Sequence, residues 1–221
     1  MADYQNDNSV AQAARVTANR DVVVAPNILK WAVQGKIFEA GLGLEDTEVN
    51  SQATIADITG TFSLQAPSAS AVLVVPILAR LIMKTEGGAA PSAHVTITKP
   101  SGLTATALTL SGTAMTSKHS VYRTNPAQTS QQATALYGDA ITVSVLVAAD
   151  YVLVNALYLQ DNLITAGTSP LLPYDVYTMA KDGPHVLTSG AAMIIYISTA
   201  TLDSAWFPYF KWAELTEDDL V

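Results

Sequence analysis

Beyond residue 50, apolar and polar residues alternate with a period of two. Thr61, Phe62, Ser63 and Leu64 alternate, Val95 and Ile97 share a face within His94–Thr98, and Ile141, Val143, Val145 and Val147 lie opposite Thr142 and Ser144. A strand turns successive side chains to opposite faces, so this pattern predicts half-buried β-strands. On that ground Thr54–Leu64, His94–Thr98, Leu103–Leu110 and Gly138–Ala148 read as strands, followed by Val186–Leu187, Ala192–Ile197 and Trp206–Trp212. Val72–Met83 is apolar almost throughout, as strands covered on both faces are, and Tyr151–Leu159 is a further apolar run. Pro76 inside the first of these marks a bulge or a sheet edge. Turn chemistry separates the runs at Ala66-Pro67-Ser68, Glu86-Gly87-Gly88, Pro100-Ser101-Gly102, Asp182-Gly183-Pro184 and Ser189-Gly190. Many short strands without regular βα alternation predict an all-β antiparallel sandwich. Residues 111–137, rich in Ser, Thr, Gln and Ala, read as a long loop.

A different pattern precedes the strands. Asn27–Gln34 predicts one short helix, started by Pro26 and stopped by Gly35, with Ile28, Trp31 and Ala32 on one face. Lys36–Ala40 reads as a strand and Gly41–Asn50 as an acidic loop. Ser9–Asn19 can form a short helix capped by Ser9 or Asn8 but has almost no large apolar side chains, so residues 1–21 read as a polar N-terminal arm. The expected organisation is therefore the arm at 1–21, a short helix and linker at 22–50, the sandwich domain at 51–213, and an acidic C-terminal tail at 214–221.

Composition narrows the function classes. The 221 residues are 49% hydrophobic and only 14% charged, against about 25% charged in an average domain. The formal net charge is −8, and the arm is not basic, so direct nucleic-acid binding is not expected. There is no cysteine, hence no disulfide framework, thiol nucleophile or thiolate metal site. The start of the chain lacks a signal-peptide pattern. The apolar run at 72–83 falls short of the ~20 residues that span a bilayer. Membrane insertion is not expected, and synthesis in a cytoplasm is.

Candidate chemistry is sparse. His94, His119 and His185 are far apart in sequence. There is no G-x-S-x-G elbow and no phosphate loop, and Gly41-Leu42-Gly43 lacks a third glycine. Glu45, Asp46 and Glu48 read as a solvated acidic loop, with a hard cation as the alternative; Asp150 and Asp161 read as strand-end turn formers, with a carboxylate pair left open. The expectation is no enzyme: no catalytic residue, no cofactor and no metal. The densest feature is aromatic. Trp206, Phe207, Tyr209, Phe210 and Trp212 occupy five of seven positions, with Trp206, Pro208, Phe210 and Trp212 on one face of a strand and Phe207, Tyr209 and Lys211 on the other. This is either a core strand closing a sheet, an intersubunit contact made with Trp31, or a sugar-binding platform. The tail from Glu214 carries four acids and no base, which predicts a solvated segment or one that docks on a basic partner.

Phe62-Ser63-Leu64-Gln65-Ala66-Pro67 followed by Val72-Leu73-Val74-Val75 resembles the early strands of single jelly-roll viral capsid proteins. Asp182 to Gly190 followed by Met193-Ile194-Ile195-Tyr196 resembles a late strand pair of that fold. Cupins and tumour-necrosis-factor-like heads share the architecture, but the clustered His/Glu signature of a cupin is missing. The resemblance implies a jelly roll over roughly 50–215 and a structural virion protein that self-assembles through arm and strand contacts. Its implied partners are further copies and other capsid proteins, with an internal virion membrane nearby. The alternative is a β-sandwich binding module such as a phage fibre head or a carbohydrate-binding domain.

Overall fold

The computed structural model describes residues 3–5, 11–13, 27–42, 48–52, 59–68, 70–85, 91–98, 108, 110–119, 131–143, 150–159, 172–199 and 204–219. The strands are β1 (Asp3–Gln5), β2 (Ala11–Ala13), β3 (Ile37–Gly41), β4 (Val49–Asn50), β5 (Thr59–Gln65), β6 (Leu73–Thr85), β7 (Ser92–Thr98), β8 (Leu110–Ala114), β9 (Ser117–His119), β10 (Thr134–Val143), β11 (Tyr151–Tyr158), β12 (Leu172–Thr178), β13 (Ala192–Ser198) and β14 (Ala205–Leu215). Helix α1 spans Asn27–Val33, α2 spans Met179–Asp182, and a 3₁₀ turn spans Glu217–Asp219.

The protein is an all-β sandwich of two antiparallel sheets with short helices. The first sheet has the order β11-β7-β13-β5-β10-β8, and the second β12-β6-β14-β3-β9, with β4 also paired to β14. Four antiparallel pairs nest inside one another in sequence: β5 with β13, β6 with β12, β7 with β11, and β8 with β10. Strands β14 and β3 widen the second sheet beside β6.

The core lies between the sheets. Phe62, Leu64, Val95, Met193 and Ile195 of the first sheet meet Phe38, Leu81, Trp206, Phe210 and Trp212 of the second. Phe62 and Phe210 form an edge-to-face pair across the gap, 5.5 Å between centroids. The outer faces are covered too. Trp31 and Ala32 of α1 pack over Ile37, Val75, Ala213 and Leu215; Leu108 and Tyr151 pack over Ala192, Ile194 and Tyr196. This is why β13 is apolar at consecutive positions and buried on both faces. The helix buries Trp31 and Ala32 but leaves Ile28 exposed. It ends as expected: Gly35 takes φ +72°, its N–H donates to Ala32 O, and Lys36 N–H donates to Trp31 O.

Pro76 stands beside a bulge: Lys211 pairs Leu78 and Trp212 pairs Pro76, leaving Ile77 as the extra residue. At Gly41, a Cβ would lie 3.2 Å from Pro208 O, so the glycine permits β3 to close on β14.

Several sequence expectations need correction. Residues 111–137 are not one long loop: β8 runs to Ala114, β9 covers Ser117–His119, and β10 starts at Thr134. Backbone pairing with neighbours makes strands of segments that lack large apolar side chains. Strand β12 was not anticipated, because Pro173 and Asp175 interrupt its pattern; it is an edge strand, where both are tolerated. Residues 37–41 and 49–50 belong to the sandwich and not to a linker ahead of it. In the arm, Ala11–Ala13 pairs with Asp3–Gln5 instead of forming a helix. The acidic tail begins later than 214, since Glu214 and Leu215 close β14 and are buried. The expected strand residues 54–58, 103–107 and 144–148 lie outside the described residues.

Candidate functional site

The aromatic strand β14 sits inside its sheet, flanked along its length by β6 and on the other side by β4 and then β3. Its alternation is as the sequence indicates. Trp206, Phe210 and Trp212 enter the core between the sheets, while Ala213 and Leu215 face α1. Trp206, Phe207, Phe210 and Trp212 are at most 1% exposed and Trp31 is 7% exposed; Tyr209 is half-buried. The six candidate contact residues are thus brought to one sheet, and all but Tyr209 are covered within one chain. The sequence leaves a sugar platform open at Trp206, Tyr209 and Trp212; the two indoles are buried and present no face for stacking, while Tyr209 is half-buried.

Burying an indole requires an acceptor for its N–H. Trp206 Nε1 donates to Ser204 Oγ at 2.6 Å, and Trp212 Nε1 donates to Glu214 Oε1 at 3.0 Å. Both acceptors stand two positions from their tryptophan, on the same strand face. The Glu214 carboxylate also accepts from Ala133 N–H at 2.9 Å and Gln132 N–H at 2.9 Å. It therefore clamps the entry of β10, in the first sheet, to the end of β14, in the second. Ser204 N–H donates to Ser51 Oγ, which is 2.7 Å from Thr199 Oγ1, tying the segment before β14 to the chain leaving β4. By contrast, the Trp31 indole N–H has no partner among the described residues.

Beyond Glu214 the chain is latched down. Asp219 pairs with Lys36 and accepts from Thr216 N–H at 2.8 Å and Thr216 Oγ1 at 2.9 Å, so one carboxylate fastens both ends of the 3₁₀ turn. Burial pushes the Asp219 carboxyl up, but Lys36 and Thr216 together hold it below the usual range. Lys36, Val72, Gln132, Glu214, Leu215, Thr216 and Asp219 line a pocket of about 90 Å³, well under the ~300 Å³ of a small-molecule site.

A second polar cluster marks the corner between the sheets. Asn155 of β11 donates to Val176 O of β12 at 3.1 Å. Asp182 accepts from Thr178 N–H at 2.8 Å. Tyr177 Oη donates to Gly183 O at 2.8 Å, and His185 Nδ1 is 3.2 Å from the same carbonyl. His185 Nδ1 also lies 3.4 Å from Tyr177 Oη. Burial pushes the Tyr177 phenol up to about 12. The contacts among residues 177–185 hold the turn, while Asn155 joins it to β11.

The remaining candidates are dispersed. Glu48 bonds Lys84 at 2.7 Å, which holds its carboxyl below the usual range. Glu45, Asp46 and Asp161 lie outside the described residues, and Asp150 is buried at the start of β11. His94 is on β7 and His119 on β9, in different sheets. Among the described residues, no three His, Asp or Glu side chains gather as a metal site would need. Among them also, no helix is long and apolar enough to cross a membrane.

Three of the exposed large apolar side chains lie together on one strand. In β11, an edge strand of the first sheet, Val152 is 55%, Leu153 52% and Tyr158 88% exposed. The sequence shows an apolar run here; its place at the sheet edge is what leaves it open. The only advance signal is the lack of any charge from Tyr151 to Leu159.

No family model matches the chain, and no curated protein or solved structure does.

Proposed function

We propose that this protein is a structural virion protein of the single jelly-roll kind, which self-assembles into a shell with copies of itself and other capsid proteins. The observation that carries the reading is the nesting of β5·β13, β6·β12, β7·β11 and β8·β10. A long hairpin rolled into two sheets produces such nested pairs, and this is the jelly-roll arrangement used by capsid domains. The fold is shared with proteins of other function, so the assignment to a shell is an analogy. Two further observations support it. The β1–β2 pair of the arm is a sheet of its own, joined to neither layer, as suits a segment that orders against a neighbour. The exposed apolar positions of β11 offer contact area without charge.

The test is particle formation. Light scattering and negative-stain micrographs of the purified protein at high concentration should show capsomers or shells. A well-folded monomer under every assembly condition would sink the reading. Deleting residues 1–21 should leave the thermal transition of the sandwich in place and impair assembly, and normal particles from that truncation would remove the arm from the mechanism.

A further inference from the structure

We infer that β11 pairs antiparallel, edge to edge, with β11 of a second copy, joining two first sheets into one continuous sheet across a two-fold axis. The inference takes its biological setting from the shell reading, but the strand pairing stands or falls separately.

A sheet edge is a template for another strand, and proteins ordinarily blunt it with charge, proline or brevity. The other described edges are blunted. Strand β12 carries Pro173, and its Asp175 is held by Arg80 at 2.6 Å. Strand β8 is five residues with a central Gly112, and β9 is three residues with Lys118 at its centre. Strand β11 is eight residues long with no proline and no charge, in a chain of net charge −8. Among the described residues no strand pairs with its outer side.

The occupant follows from the strand's own symmetry. In an antiparallel self-pair each residue faces its mirror image about the strand centre, so the run must be complementary to itself when reversed. Tyr151-Val152-Leu153-Val154-Asn155-Ala156-Leu157-Tyr158 is self-complementary about its centre: Tyr151 faces Tyr158, Val152 faces Leu157, and Leu153 faces Ala156. Facing residues must also point to the same side of the joined sheet. In a regular strand these pairs would fail, because each is separated by an odd number of positions. The bulge corrects this. Leu153 pairs Thr96 and Asn155 pairs Val95, so Val154 is the extra residue, and it sits at the strand centre. The faces then mirror. Tyr151 packs on the outer cluster, and two-residue steps on either side of the bulge put Leu153, Ala156 and Tyr158 on that same outer face. Val152 and Leu157 share the inner face, opposite Ile97 and Ala93, which pack in the core. A bulge placed here makes the edge match its own copy, large against small at Leu153 and Ala156 and aromatic against aromatic at the ends.

The contact is one strand wide, below the ~1,200 Å² of a stable pairwise interface. A weak, concentration-dependent dimer is expected, reinforced when many copies assemble.

The test uses the absence of native cysteine. Facing residues lie ~5 Å apart, within disulfide reach. Full-length Leu153→Cys and Ala156→Cys chains, mixed under mild oxidation, should crosslink at least tenfold faster than either alone. Leu153→Cys mixed with Tyr158→Cys should not, being a further two residues out of register. Leu153→Lys should abolish the dimer in sedimentation equilibrium, with circular dichroism and melting unchanged, whereas Val186→Lys, exposed outside β11, should dimerise normally. Crosslinking that ignores register, or a Leu153→Lys dimer of normal strength, would overturn the proposal. Particles that persist in Leu153→Lys would reject the edge pairing and leave the shell reading intact. Register-specific dimers from a protein that never forms particles would do the reverse.

Discussion

Strands β14 and β11 are both rich in apolar side chains, yet the structure uses them in opposite ways. Strand β14 has neighbours on both sides, and its aromatic side chains fill the core. Among the described residues, β11 has a neighbour only in β7 and leaves three large apolar side chains open to solvent. Hydrophobicity alone does not separate them. Polar residues do: β14 is bracketed by Ser204 and Glu214, each spent on an indole, while the one polar side chain within β11, Asn155, ties it to the opposite sheet. A buried aromatic strand announces itself by the acceptors beside it.

The sharpest way to break the contrast is truncation. Trp206→Ala should destabilise by about 3–5 kcal/mol in urea unfolding, as large core deletions do. Leu153→Ala on β11 should change stability by no more than ~0.5 kcal/mol. Similar values at both positions would mean that β11 is covered after all. Next in size is the clamp at the end of β14. Glu214→Ala strands three N–H donors and should cost about 2–4 kcal/mol, with Glu214→Gln losing less because one carbonyl oxygen remains. An unaltered denaturation midpoint in Glu214→Ala would show that water replaces the carboxylate.

A pH experiment probes the corner where β11 meets the second sheet. The Tyr177 phenol is raised from 10 to about 12 in the folded state. The folded protein therefore holds this proton more tightly than the unfolded one. Its stabilising effect is complete below pH 10 and is lost as pH rises through about 12. Tyrosinate absorbance should show late titration from Tyr177 and, later still, from Tyr209, whose phenol burial and Glu39 push up further; Tyr177→Phe should remove only the earlier of the two, and an unchanged titration in the variant would assign that signal elsewhere. The smallest effect is expected at Trp31. Its N–H is already unsatisfied, so Trp31→Phe removes no hydrogen bond and should cost less than Trp206→Phe, which leaves Ser204 without its donor. Equal losses in chemical denaturation would show that ring volume outweighs the N–H at both sites.

Much of the architecture is legible in the residues. Alternation at 61–64 and 95–97, the proline beside its bulge, and the Gly35 stop all appear where local chemistry places them. The sandwich class follows from these. What local pattern does not carry is position within a sheet. Pairing made strands of the small and polar residues near 110–119, and an edge location excused Pro173 and Asp175 in β12. The same gap hid the surface. Nothing local says that 151–158 lies at an edge while 205–215 lies inside, since both are set by partners more than 50 residues away. The role of Glu214 was readable in principle, two positions from Trp212, but the acids that follow it suggested a solvated tail.

The long reach of β14 has a consequence for how the protein is made. Residues 73–85 leave the ribosome well before their partner at 205–215 has been synthesised. At about 5–20 residues per second that delay is on the order of ten seconds. Strand β13 likewise arrives late to fill the slot between β5 and β7. Until then, the open sides of β5, β6 and β7 are unpaired apolar templates, and distant pairings of this kind close slowly. The nascent chain therefore faces its greatest aggregation hazard during its own synthesis, and holding chaperones should matter more to its yield than to the finished protein.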